Sequence, residues 1–168
     1  MDKAGGGPSG ATHLSRPRVA IVVYGDLDSR SGGFLYDRRL ADHLAAHGWA
    51  VDEVSLPERP PPRSLLTNLA GGLVDRLERC DVVVEDAYCG PSLFLLNRRL
   101  DTPVVALVHY LRSAVVDGRV RGRVTRAIER EYLRSADAHV FNSEPTRKAV
   151  AGLCGAGRSP ATGSDGSP

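Results

Sequence analysis

No apolar run in this sequence approaches the roughly 20 residues that a membrane-spanning helix needs. Excess charge of one sign is lacking too: 22 Lys and Arg against 20 Asp and Glu leave a net charge of +2, which supplies no electrostatic argument for nucleic acid. Cysteine is sparse. Cys80, Cys89 and Cys154 are an odd set without C-x-x-C spacing, so neither a disulfide framework nor a zinc site is indicated. Free thiols in a reducing cytoplasm fit better. The opening "MDKAGGGPSGATHLSRP" has no hydrophobic signal-peptide core and reads as a flexible tail over residues 1–17. Also missing are two phosphate-binding spacings. The loop "GDLDSRSGG" is not G-x-G-x-x-G, and no G-K-[ST] follows it, which argues against a classical dinucleotide turn and a P-loop.

What is present is alternation. "RVAIVVY" (18–24) is a near-continuous β-branched run, as in a strand buried on both faces. Residues 34–47 read as a helix with Leu40, Ala41, Leu44 and Ala45 on one stripe, stopped by Gly48. "AVDEVSL" (50–56) is a second strand, and "PERPPPR" then breaks the chain. Leu65, Leu66, Leu69, Leu73 and Leu77 recur at helical spacing. Three more strands follow in "DVVVED", "VVALVHY" and "AHVFN", separated by a short helix over 91–100 and a longer one over 120–135. In that longer helix Val120, Val124, Ala127 and Ile128 form an apolar stripe. Ser143, Glu144 and Pro145 signal the start of a last helix, to Ala151. Strand and helix alternating five times predict an α/β, Rossmann-like three-layer sandwich around a parallel sheet, in the order 3-2-1-4-5. The ordered domain is expected over 18–151. A Gly/Ser/Pro-rich tail, 152–168, is expected to be disordered.

In such folds ligands bind at the carboxyl ends of the strands. That selects four stretches: the loop 25–33, the loop 86–92, "HYLRS" from His109, and "NSEPT" from Asn142. Gly32 and Gly33 sit where a helix begins, so their amides and the positive helix end suit a phosphate or sugar oxygen. A tight turn packed against a neighbouring strand is the other reading. Asp37 shares the apolar stripe of its helix, an odd place for a carboxylate, and is expected to cap amides or order the glycine loop. His109 ends a strand and is either a ligand contact or a core histidine. Glu85 and Asp86 point to opposite faces, so at most one meets the cleft. Asp86 and Tyr88 are acceptor-side candidates, with a loop-ordering aspartate as the plainer alternative. Arg112 meets either an anionic ligand or solvent.

The stretches "SGGFLYDRRLADHLAAHGWAVDEVSLP", "VVALVHYLRS" and "YLRSADAHVFNSEPTRKAV" together resemble the N-terminal domain of family-4, GT-B type glycosyltransferases over roughly 18–151. The resemblance implies retaining transfer of a sugar from a nucleotide-sugar donor to a glycan or lipid-linked acceptor. It implies no metal held by an Asp-X-Asp motif, so no cofactor is expected. It places Gly32 and Gly33 near the donor phosphates, His109 at the transferred sugar as the catalytic-site histidine, and Asn142 and Ser143 along the same cleft. The family's second domain carries two glutamates seven residues apart and the Arg and Lys that hold the diphosphate; nothing after Ala151 resembles it. The chain therefore reads as truncated before that domain, with little activity alone. A non-enzymatic Rossmann-like binding module or an inactive fragment is the alternative.

Arg119, Arg123, Arg126, Arg130 and Arg134 recur every three or four residues and form one stripe on the long helix. The stripe is either a solvated surface or a peripheral contact with anionic lipid at the inner face of the membrane. The expected location is cytoplasmic.

Overall fold

The computed structural model describes residues 16–25, 32–60, 62–116 and 118–155. Among them, five strands alternate with helices: β1 Arg18–Tyr24, α1 Gly32–Ala46, β2 Ala50–Leu56, α2 Gly71–Leu77, β3 Val82–Asp86, α3 Gly90–Leu93, β4 Val104–Val108, α4 Arg119–Ser135, β5 Ala138–Phe141 and α5 Glu144–Cys154. All strand pairs are parallel. The α/β, Rossmann-like class read from the alternation is the class observed.

The strand order is β2-β1-β3-β4-β5, not 3-2-1-4-5. The composition of β2 explains the correction. Its Asp52, Glu53 and Ser55 leave it half-exposed, with Val54 and Leu56 its buried residues. Such a strand suits an edge. β1, buried at six of seven positions, takes an interior place between β2 and β3.

Alternation along the strands builds two cores. On one face Val19, Ile21 and Val23 of β1 and Val82 and Val84 of β3 pack under Ala41 and Leu44 of α1. On the other, Ala20, Val22, Val83, Val104, Ala106 and Val108 meet Leu77, Leu93, Leu96, Tyr132, Leu133 and Val150 from α2 to α5. By the same alternation Asp86 and His109 fall on the α1 side, and Glu85 on the other.

Several local expectations shift by identifiable causes. The leucine-rich stretch is a 3-10 turn, Arg63–Leu69, followed by α2, because Ala70 is extended (ψ 96°) just before Gly71 and Gly72. The expected helix over 91–100 is likewise interrupted. The Asn68 side chain accepts hydrogen bonds from the amides of Leu95 (2.8 Å) and Leu96 (3.2 Å), which helical carbonyls would otherwise bind. In α4 the buried residues are Glu129, Tyr132 and Leu133, while Val120 and Val124 are exposed. Order reaches slightly beyond 18–151. The Pro17 carbonyl accepts from Ala50 N–H (2.8 Å), Arg16 Nε donates to the Gly48 carbonyl (2.7 Å), and α5 continues to Cys154. Gly48 closes α1 with φ at 91°, a conformation that favours glycine. Cys80, Cys89 and Cys154 are free thiols, the first two buried.

Candidate functional site at the carboxyl edge of the sheet

The order 2-1-3-4-5 creates a crevice where β1 and β3 send their connections to opposite sides of the sheet. Here the carboxyl ends of β1, β3, β4 and β5 gather the residues singled out from sequence.

Gly32 and Gly33 are the first two residues of α1. The loop before them, 26–31, lies outside the described residues. Because the helix starts at Gly32, Asp37 stands beyond its first turn. It is 1% exposed, and its Oδ1 lies 3.0 Å from Nε2 of His109, 72 residues away. Its Oδ2 has no hydrogen-bond partner among the described residues. The expected ordering of the glycine loop by Asp37 concerns residues 26–31, which lie outside the described residues.

His109, just past the end of β4, is fixed from three sides. Asp37 holds Nε2. The Tyr36 ring stands edge-on at 5.5 Å between centroids. The Thr146 hydroxyl donates to its backbone carbonyl at 3.3 Å. Asp37 holds the imidazole above its ordinary pKa of 6.5, against the opposing effect of burial; the Asp86 carboxylate adds a smaller push in the same direction.

Thr146 also links the fifth-strand turn to this centre. Its hydroxyl reaches the Asn142 side-chain oxygen (3.3 Å) and the Ser143 hydroxyl (2.8 Å), and its amide donates to Ser143 Oγ (3.3 Å), which caps α5. Asn142 and Ser143 are thus joined to His109 through one side chain that the sequence reading did not single out.

Asp86 does order its loop: Oδ1 accepts the Tyr88 amide at 2.9 Å and caps the 3-10 turn Ala87–Cys89. It also lies close enough to Asp37 and His109 to feel their charges. Burial pushes its carboxyl up to about 6. Tyr88 packs edge-on against Tyr24 at 5.7 Å, and its hydroxyl donates to Glu58 at 3.2 Å. The Arg112 guanidinium stacks 4.2 Å over the Tyr88 ring, so Arg112 is a half-buried partner of the aromatic cluster rather than a solvated side chain. Tyr110, half-exposed, completes the row at 6.2 Å from Tyr88.

The arrangement offers two chemistries side by side. The α1 start, His109 and the α5 cap supply amides, hydroxyls and an imidazole whose protonated form is favoured, for oxygen-rich, anionic ligands. Tyr88, Tyr110 and Arg112 supply an aromatic and cationic wall. Among the described residues no three His, Cys, Asp or Glu side chains group as a metal site; the Asp-X-Asp triplet of the sequence, Asp26-Leu27-Asp28, lies outside them. Asp37 was recognisable only as a carboxylate on an apolar stripe, and its partner was not legible from local spacing.

No curated protein matches the chain. The family model described as Glycosyltransferase Family 4 matches residues 13–162. With the all-parallel sheet and the gathered edge, that match shows that the chain belongs to glycosyltransferase family 4 and is a domain of its N-terminal type.

Proposed function

We propose that this chain serves as the acceptor-side half of a retaining glycosyltransferase that moves a sugar from a nucleotide-sugar donor to an acceptor. The observation that carries the reading is the meeting of His109 and Asp37 at 3.0 Å, beside the start of α1 and tied through Thr146 to Asn142 and Ser143. In this reading His109 hydrogen-bonds the transferred sugar, and the Gly32 and Gly33 amides meet a phosphate oxygen. Asn142 and Ser143 border the donor. Asp86, Tyr88 and Arg112 border the acceptor. No metal takes part. The remaining diphosphate charge falls to cations of a second domain, so the chain alone binds donors weakly and turns over little.

Calorimetry with UDP-glucose, GDP-mannose and related sugar nucleotides tests this. Weak binding that His109→Ala reduces further is the expected result. Micromolar affinity, about −8 kcal/mol, would contradict the division of labour between domains. Weak binding indifferent to His109→Ala would favour a non-enzymatic α/β binding module.

A second reading concerns α4, and the partner is an anionic membrane surface on the cytoplasmic side. The side chains of Arg119, Arg123, Arg126 and Arg130 have no ion pair or hydrogen bond among the described residues, and Val115, Val120 and Val124 are exposed beside them. Arg134 leaves the set first assigned, because Glu131 accepts from it at 3.3 Å. No helix among the described residues is long and apolar enough to cross a membrane.

A further inference from the structure

A carboxylate that is 1% exposed must find compensation, since an unpaired buried charge is strongly unfavourable. Asp37 has one partner among the described residues, the Nε2 of His109. The His109 side chain is itself 10% exposed. Its second ring nitrogen, Nδ1, has no hydrogen bond among the described residues. The pair thus resembles an orienting clamp: one ring nitrogen is committed, and the other is left over.

We propose that Asp37 is a positioning residue that holds the His109 ring by Nε2–H and presents Nδ1 to an oxygen of the sugar nucleotide. The proposal rests on the functional reading above and adds the chemistry of the contact. The Asp37 contact favours the protonated ring, and in that form Nδ1–H donates. The ligand atom it meets is then an acceptor, a hydroxyl or phosphate oxygen, in a charge-assisted bond. Among the described residues, the titratable groups facing the ring are Asp37 and Tyr36 from α1 and Asp86 from the end of β3; α5 contributes the neutral Thr146.

The pH dependence follows. A histidine whose pKa is raised in the folded state makes its contact fully below the ordinary value and loses it as pH rises through the folded one. Donor binding should therefore weaken across that upper range. Asp37→Asn, which keeps the shape and removes the charge, should move the loss to lower pH. A purely structural aspartate would change stability without moving this profile.

The test uses the full chain as wild type, Asp37→Asn and His109→Ala. Nitrogen-detected spectra of the imidazole report its titration and tautomer. Saturation-transfer spectra with UDP-glucose and GDP-mannose as probes report binding. The expected result is a His109 titration above 6.5 with the neutral ring protonated on Nε2, a lower titration in Asp37→Asn, and about tenfold weaker probe binding at neutral pH in both variants. A His109 titration unchanged by Asp37→Asn overturns the positioning role, even if His109→Ala weakens binding and so upholds the functional reading. A displaced titration with probe binding indifferent to both substitutions overturns the functional reading and the donor contact with it. If Asp37→Asn does not fold, the wild type decides: a neutral ring protonated on Nδ1, or a titration at or below 6.5, overturns the proposal.

Discussion

Glu85 and Asp86 are neighbours in β3, yet their side chains lie on opposite sides of the sheet. Glu85 is wholly buried, with Oε2 accepting from Asn97 at 2.9 Å and Oε1 without a hydrogen-bond partner among the described residues. Burial pushes its carboxyl up from 4.5 to about 7. A carboxyl whose pKa is raised by folding binds its proton more tightly in the native state. Stability therefore falls as pH rises through the window from 4.5 to about 7, and levels off above it. Glu85→Gln keeps an acceptor for Asn97 and cannot ionise. It should melt at a higher temperature than wild type above neutrality and at the same temperature in mild acid. Thermal melts in the two buffers check this, and equal melting in both would show that Glu85 does not govern the dependence. Asp86 acts in the same direction over a lower window, from 3.8 to about 6. Of this pair, strand alternation made the opposite orientations legible in the sequence. The burial that raises the Glu85 pKa was not legible, because the residues that cover it, and Asn97 whose hydrogen bond opposes the shift, come from later elements.

Among the elements, α3 and α4 meet at a glycine. A Cβ placed on Gly90 would stand 2.8 Å from Cγ of the buried Tyr132 ring. Gly90→Ala should therefore cost about 1–3 kcal/mol through overpacking, readable as a lower denaturation midpoint. A midpoint equal to wild type would mean that the ring has room to shift. The exposed side of α4 carries the other expectation at this scale. Arg123→Glu with Arg126→Glu should abolish binding to vesicles containing phosphatidylserine, whereas neutral vesicles should bind neither protein. Cosedimentation at low and high salt measures it, and retention by neutral vesicles would remove the electrostatic account. Helix ends were readable where local chemistry sets them, as at the Ser143 cap and the Gly48 stop. The apolar stripe of α4 was misread because Val120 and Val124 match helical periodicity, whereas the buried positions of the helix, Glu129, Tyr132 and Leu133, all fall in its second half. The break within 91–100 was unreadable because its cause, Asn68, lies more than twenty residues away.

At the scale of the molecule, one topological fact organises the rest. β1 sits between β2 and β3, so the α1 start, the end of β3 and the end of β4 open on a common crevice. The polar residues of β2 are compatible with an edge strand, although the order 3-2-1-4-5 read from the alternation had placed it inside the sheet. Of the site, the glycine pair, His109, Asn142 and Ser143 were legible as strand-end positions. The Asp37–His109 and Thr146 links were not, because contacts between α1, β4 and α5 leave no local spacing. The edge position also has a dynamic consequence: amides of β2 should exchange with solvent faster than those of β1 and β3, and equal protection would contradict an exposed edge. The central claim is that this crevice receives a sugar nucleotide. Amide shift mapping of the labelled full chain during titration with UDP-glucose and GDP-mannose tests it most directly. The account predicts weak, saturable shifts clustered at Gly32, Gly33, His109 and residues 142–146. Shifts confined to α4, or to the amino ends of the strands, would contradict it.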